Sequence, residues 1–159
     1  MDAMKICVVS PDGNVQARIS DRRQTEFSFR PGSFRKYHAQ ALERQLEGLA
    51  SLLFVGYQRG YLQVMARESM TVKIAPGDGD GNAEREFLAR RNEVAVRGRS
   101  SSRQVRVQSI GLLKWRVVVE TEALESTEPE FVAQLAEATG DLLRDHAAKI
   151  TELRAECFA

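Results

Sequence analysis

Two periodicities alternate along this chain. Between residues 5 and 30 apolar positions recur every second residue: Val15, Ala17 and Ile19 alternate with Gln16, Arg18 and Ser20, and Thr25, Phe27 and Phe29 resume the beat after Asp21-Arg22-Arg23. Such alternation places one face of a strand in a core and the other in water. With residues 5–10 (KICVVS) as a first strand and Pro11-Asp12-Gly13-Asn14 as a turn, the segment predicts a three-stranded antiparallel meander. Pro31-Gly32 stops the sheet and Ser33 stands where an N-cap belongs. From Phe34 the spacing becomes helical, with Phe34, Tyr37, Ala41, Leu42, Leu46, Leu49, Leu53 and Phe54 near one face. Gly48, Gly56 and Gly60 each weaken a helix by up to ~1 kcal/mol relative to Ala. The pattern nonetheless favours one helix continuing towards Ser69, with Thr71–Ile74 as a short strand after it.

The same order then recurs. Pro76–Asn82 (PGDGDGN) predicts an exposed loop, and residues 84–92 a short basic helix. Glu93–Gly98 reads as a strand, Arg99–Ser102 as a turn, and Val105 and Val107 as a second strand. After Ile110-Gly111, a third strand is marked by Trp115, Val117 and Val119. Beyond an acidic loop, Thr127 and Glu130 form a T-x-x-E capping box with Pro129 in the first turn. Phe131, Leu135, Ala138, Leu142, Leu143, Ala147 and Ile150 follow at helical spacing. The chain thus reads βββα–linker–βββα: a first unit over 1–70, a linker over 71–92 and a second unit over 93–159, intertwined in one globular domain. Val8 would match Val96, Ile19 would match Val107 and Ser33 would match Thr127, although alternating apolar positions also coincide by chance. The expected class is α+β, an antiparallel six-stranded meander sheet, in one chain or completed by a dimer, against two long helices.

Composition changes this picture little, and charge changes it more. A hydrophobic share of 43% and a charged share of 28% are those of an ordinary globular protein, and a net charge of +1 names no partner. The distribution is lopsided. Residues 85–116 hold Arg85, Arg90, Arg91, Arg97, Arg99, Arg103, Arg106, Lys114 and Arg116 against Glu86 and Glu93, whereas residues 120–159 hold ten carboxylates against Arg144, Lys149 and Arg154. Separation of this kind favours self-association or a polar partner. Cys7 and Cys157, without a secretory signal, read as buried or free thiols rather than a disulfide framework, and no stretch approaches the ~20 apolar residues of a membrane span. A cytoplasmic protein without membrane contact is expected.

Candidate chemistry is sparse. The D-x-D-x-N run starting at Asp78 has the opening of a calcium loop, but its sixth and twelfth positions are Ala83 and Ala89 where Gly and Glu are needed. His38 and His146 fall on predicted helices among charged neighbours and read as solvated. No P-loop, dinucleotide fingerprint, G-x-S-x-G or H-E-x-x-H occurs. No catalytic residue, metal or cofactor is therefore assigned, and a non-enzymatic binding protein is expected.

The final unit, V-x-V-x(5)-L-L-x-W-R-V-x-V followed by T-E-A-L-E and P-E-F-V-A-Q-L-A-E-A-T-G-D-L-L-R-D-H-A-A-K, resembles the YbaB/EbfC family. Phe131, Leu135, Ala138, Asp141 and Lys149 fall near places that match the family's second helix, and the helix from Ser33 would be its long first helix. The hairpin over Ile6–Ala17 is similar to the YbaB-like proteins encoded with actinobacterial type VII secretion systems. The Asn-Gly turn usual between the family's strands is replaced here by Arg99–Ser102. The resemblance implies dimerisation through sheets and nucleoid-associated DNA binding. Two readings follow. Arg97, Arg99, Arg103, Arg106 and Lys114 are candidate phosphate contacts for DNA. Alternatively Leu46, Leu49, Leu53, Phe54 and Tyr57 clasp a helical, secreted protein partner, as a chaperone or adaptor would.

Overall fold

The computed structural model describes residues 6–20, 24–72 and 80–158, with the backbone alone for 56–72, 80 and 81. Alternation becomes strand in both expected meanders. β1 (Ile6–Val9), β2 (Val15–Ile19) and β3 (Thr25–Phe29) form one antiparallel meander; β4 (Ala95–Arg99), β5 (Val105–Ile110) and β6 (Lys114–Val119) form another. The protein is α+β, as expected, but the strands make two three-stranded sheets rather than one of six.

The reason lies at the edges of the second sheet. A long helix, α4 (Glu128–Cys157), runs beside β4. The backbone N–H groups of Arg97 and Arg99 donate to Asp145 Oδ2 and Asp141 Oδ2, both at 3.1 Å, and that of Ser101 donates to Glu137 Oε1. Carboxylates four residues apart lie ~6 Å apart along a helix, close to the ~6.7 Å between alternate strand residues, so one helix face meets successive outward N–H groups. At the opposite edge the helix α1 (Ala39–Val72) does the same: Val117 N–H donates to Glu47 Oε2 at 3.2 Å and Val119 N–H to Glu43 Oε2 at 2.8 Å. Both edges of this sheet are closed by side chains before any strand can pair with them. Among the described residues no carboxylate treats the β1 or β3 edge in this way.

The two sheets turn their inner faces to a single core. Val15, Ala17, Ile19 and Phe29 from the first meet Val96, Val105, Val107, Val117 and Val119 from the second through Leu42, Leu46, Leu49 and Leu53 of α1 and Phe131, Leu135, Ala138 and Leu142 of α4. Gly98 lets α4 cross β4 closely, since a Cβ there would lie 2.0 Å from the Ala138 carbonyl oxygen. The first hairpins of the two meanders share one hydrogen-bond pattern. Ser10 and Ser100, ninety residues apart, each donate N–H to a valine carbonyl (Val15 at 2.7 Å, Val105 at 2.9 Å) and accept that valine's N–H on Oγ. Gly13 and Arg103 hold the same left-handed place, at φ 79° and 64°. This geometry sets Val8 against Gly98 and Ala17 against Val107, two residues away from the matches the apolar pattern implied.

Several boundaries differ from expectation. Ser33 caps no long helix: its hydroxyl bonds the Arg30 carbonyl at 2.7 Å, a short 3-10 turn covers Phe34–Lys36, and Tyr37 is extended before α1 begins at Ala39. His38, exposed, supplies the cap through Nδ1, which accepts from Ala41 N–H at 3.4 Å. The helix runs unbroken past Gly56 and Gly60 to Val72, so Thr71 and Val72 are helical rather than strand. Helix α2 (Asp80–Arg91) starts inside the expected loop, the rest of which, with Asp78 of the calcium-like run, lies outside the described residues. The acidic loop after β6 contains one helical turn, α3 (Thr121–Glu125). The Thr127–Glu130 capping box forms as written, with Glu130 N–H donating to Thr127 Oγ1 at 3.2 Å. His146, expected on the surface, is buried on α4.

Candidate nucleic-acid interface

Strand alternation that sends Val96, Val107 and Val117 inward must send their neighbours outward. Register then assembles the outer face of the second sheet row by row: Ala95–Ile110–Lys114, Arg97–Gln108–Arg116 and Arg99–Arg106–Val118. Five of these nine positions are cations and none is acidic, so much of the chain's basic segment gathers on this face. Rows lie ~6.7 Å apart along the strands and neighbouring strands ~4.8 Å apart. Arg97, Arg99, Lys114 and Arg116 are exposed and Arg106 is half-buried. Arg103 sits off the end of the face, in the β4–β5 turn, where its carbonyl accepts from Arg106 Nη1 at 2.9 Å.

Local charges decide how much of this surface is available. Arg106 is committed to Glu120 at 2.8 Å. Among the described residues Arg97, Arg99, Arg103, Lys114 and Arg116 have no ion pair. The carboxylates along β4 compete less than their proximity implies, because they are already engaged: Asp145 with the Arg97 N–H and with Lys149 at 3.1 Å, Asp141 with the Arg99 N–H and Arg144 at 3.8 Å. No aromatic ring lies on this face. Trp115 points inward, where its ring stacks on Phe54 with centroids 4.7 Å apart and its Nε1–H donates to the Leu112 carbonyl at 3.2 Å.

Of the five cations singled out from sequence, Arg97, Arg99, Arg106 and Lys114 share the face and Arg103 borders it. Arg116 belongs with them and was overlooked, although its place between Trp115 and Val117 marks it as outward-facing. The second set has a different fate. Leu46, Leu49, Leu53 and Phe54 are only 1–3% exposed and fill the protein's own core, so they offer no surface to a helical partner. Among the described residues the large apolar side chains that α1 shows to solvent are Leu52 and Val55, and the side chain of Tyr57 lies outside them.

A second polar cluster is structural. Asp12 accepts from Ser10 Oγ at 2.6 Å, from Asn14 N–H at 3.1 Å and from the Tyr37 hydroxyl, and its own N–H donates to Gln45 Oε1 at 2.9 Å. It fastens the β1–β2 turn to α1. Partial burial opposes ionisation of Asp12, but the hydrogen bonds from Ser10, Tyr37 and Asn14 outweigh it and hold the carboxyl below its ordinary value. Burial, and then the bond to Asp12, push the Tyr37 hydroxyl up to about 12.

Among the described residues no helix is long and apolar enough to cross a membrane. No family model, curated protein or solved structure matches the chain.

Proposed function

We propose that this chain is a non-enzymatic, YbaB-like DNA-binding protein that holds duplex DNA on the outer face of its second sheet. The observation that carries the reading is the concentration of five cations on nine outward positions, with Arg97, Arg99, Lys114 and Arg116 free of ion pairs among the described residues. Arginine and lysine at this spacing suit phosphates, and phosphate contacts supply most sequence-independent affinity. The absence of a stacking ring on the face favours duplex over single strands, which are held by base–aromatic stacking worth ~1–3 kcal/mol per base. The residue resemblance of the final unit to YbaB/EbfC proteins points the same way. The test is competition between duplex and single-stranded oligonucleotides of mixed sequence at about 50 mM salt. The reading expects a retarded duplex complex and weak competition by single strands. Equal competition by both, or unretarded duplex, would contradict it.

A further inference from the structure

Resting on that DNA-binding reading, we infer that the β5–β6 hairpin tip is a hydrophobic wedge that enters a base step of duplex DNA and bends it. The tip reads Ile110-Gly111-Leu112-Leu113, where a solvent-exposed turn ordinarily carries Asn, Asp, Ser or Gly. Ile110 is 47% exposed and Leu113 46%, so two large aliphatic side chains stand in water at the two ends of one turn, closed by the Leu113 N–H to Ile110 carbonyl bond. Leu112 between them adopts φ 59°, a left-handed conformation that costs a residue with a Cβ ~1–2 kcal/mol. Three anchors hold this conformation. The Leu112 side chain is fully buried and its carbonyl accepts the Trp115 Nε1–H. The Gly111 N–H donates to the Val94 carbonyl at 2.7 Å, and the Leu113 N–H to the Ile110 carbonyl at 3.0 Å. A Cβ at Gly111 would lie 2.2 Å from the Asn92 carbonyl oxygen, so the tip is seated tightly against the body of the protein. The fold therefore maintains a strained, rigid turn whose visible effect is to present Ile110 and Leu113 outward.

Their surroundings identify the occupant. Ile110 pairs across the sheet with Lys114, and the next row carries Arg97 and Arg116 on either side of Gln108. The apolar tip is thus continuous with the cationic face, and ~6.7 Å from its nearest arginine row, about two base steps of duplex. Arginines on phosphates beside aliphatic side chains at a base step is the arrangement by which wedge-inserting proteins unstack and kink DNA, typically by ~20–90°. An anionic lipid surface also welcomes exposed Ile and Leu beside cations. It fits less well here, because the cations run along the strands away from the tip and only Lys114 adjoins it.

The experiment uses the whole protein, duplexes of about 30 base pairs labelled at both ends for energy transfer, and 2-aminopurine at interior steps. The expected result is salt-sensitive binding with a shortened end-to-end distance and brightened 2-aminopurine. I110S/L113S should bind within about tenfold of the original with the same salt dependence, yet leave the DNA straight. Leu113→Ser alone, at an exposed position, gives a weaker bend and serves if the double variant does not fold. Tight binding by the unaltered protein to straight DNA would overturn the wedge and leave the DNA-binding reading standing. Bending retained by I110S/L113S would also overturn it. Absence of any duplex binding overturns both, and sedimentation with phosphatidylserine vesicles without DNA bending would transfer the tip to a lipid surface.

Discussion

Gly98→Ala tests how tightly α4 is seated on the second sheet. A Cβ at this position would lie 2.0 Å from Ala138 O, 2.4 Å from Leu142 N and 2.7 Å from Leu142 Cβ. Ordinary contact begins near 3.4 Å, so the worst overlap is about 1.4 Å, and it is with helix backbone that no rotamer change can move. The helix must shift, but Asp141 and Asp145 tie it to the Arg99 and Arg97 N–H groups on either side of Gly98. Displacing α4 by about 1 Å breaks those bonds and opens gaps between its buried face and the sheet around Val96. Overpacking costs ~1–3 kcal/mol, and two partly exposed charge-assisted bonds add ~1 kcal/mol each, giving about 3–5 kcal/mol. At ~2–4 °C per kcal/mol for a chain of this size, the melting temperature should fall by about 6–20 °C. Gly140→Ala is the internal control: its Cβ would meet nothing nearer than Arg144 Nη1 at 3.5 Å, and replacing a mid-helix glycine should stabilise by about 0.5–1 kcal/mol. Calorimetry on both variants decides. A Gly98→Ala protein melting within about 2 °C of the original would refute the close crossing of β4 and α4.

Further outcomes follow from the same contacts. Glu43→Ala with Glu47→Ala leaves the Val119 and Val117 N–H groups without their acceptors; about 2–4 kcal/mol of stability should be lost, and light scattering should detect concentration-dependent association through the opened β6 edge. Trp115→Ala removes a half-buried ring stacked on Phe54 and should cost about 3 kcal/mol in urea unfolding; a loss of a few tenths would mean the ring is dispensable to the core. The Asp12–Tyr37 pair sets a pH window. Asp12 has a lowered folded pKa, so its contribution is present above its unfolded value of 3.8 and is lost as pH falls through the folded one; Tyr37 contributes fully below 10.0 and loses its contribution as pH rises to about 12. Spectrophotometric titration should show one tyrosine ionising near 12, absent in Tyr37→Phe, and a phenol at the ordinary value would exclude the bond to Asp12.

Secondary structure was legible where periodicity is strong. The β2 and β3 alternations and the Thr127 capping box were readable because each is a local rule, satisfied within a few residues. Sheet membership was not, because it depends on Glu43, Glu47, Asp141 and Asp145 reaching strands more than forty residues away, and a helical carboxylate bonded to an edge N–H looks in sequence like any solvated one. Ser33 misled because the Pro31-Gly32 turn engages its hydroxyl first. The candidate face is largely readable from the arginines between valines, and Arg116, between Trp115 and Val117, belongs to the same alternation. The α1 leucines were misassigned for a general reason: an apolar stripe looks the same whether it covers the protein's own sheet or a partner, and here the second sheet takes it. Ile110 and Leu113 carried no periodic signal, and their exposure follows from the left-handed turn at Gly111-Leu112.

Phosphate contact with the outer face of the second sheet, as proposed, is checked by the salt dependence of duplex binding. Four arginines and lysines without ion pairs imply a slope of log affinity against log salt of about −3.6, at ~0.9 per neutralised phosphate. R97Q/R116Q should reduce that slope to about −1.8 and weaken binding similarly for all sequences, while the melting temperature stays unchanged. A slope that the double substitution leaves untouched would place the DNA elsewhere on the protein.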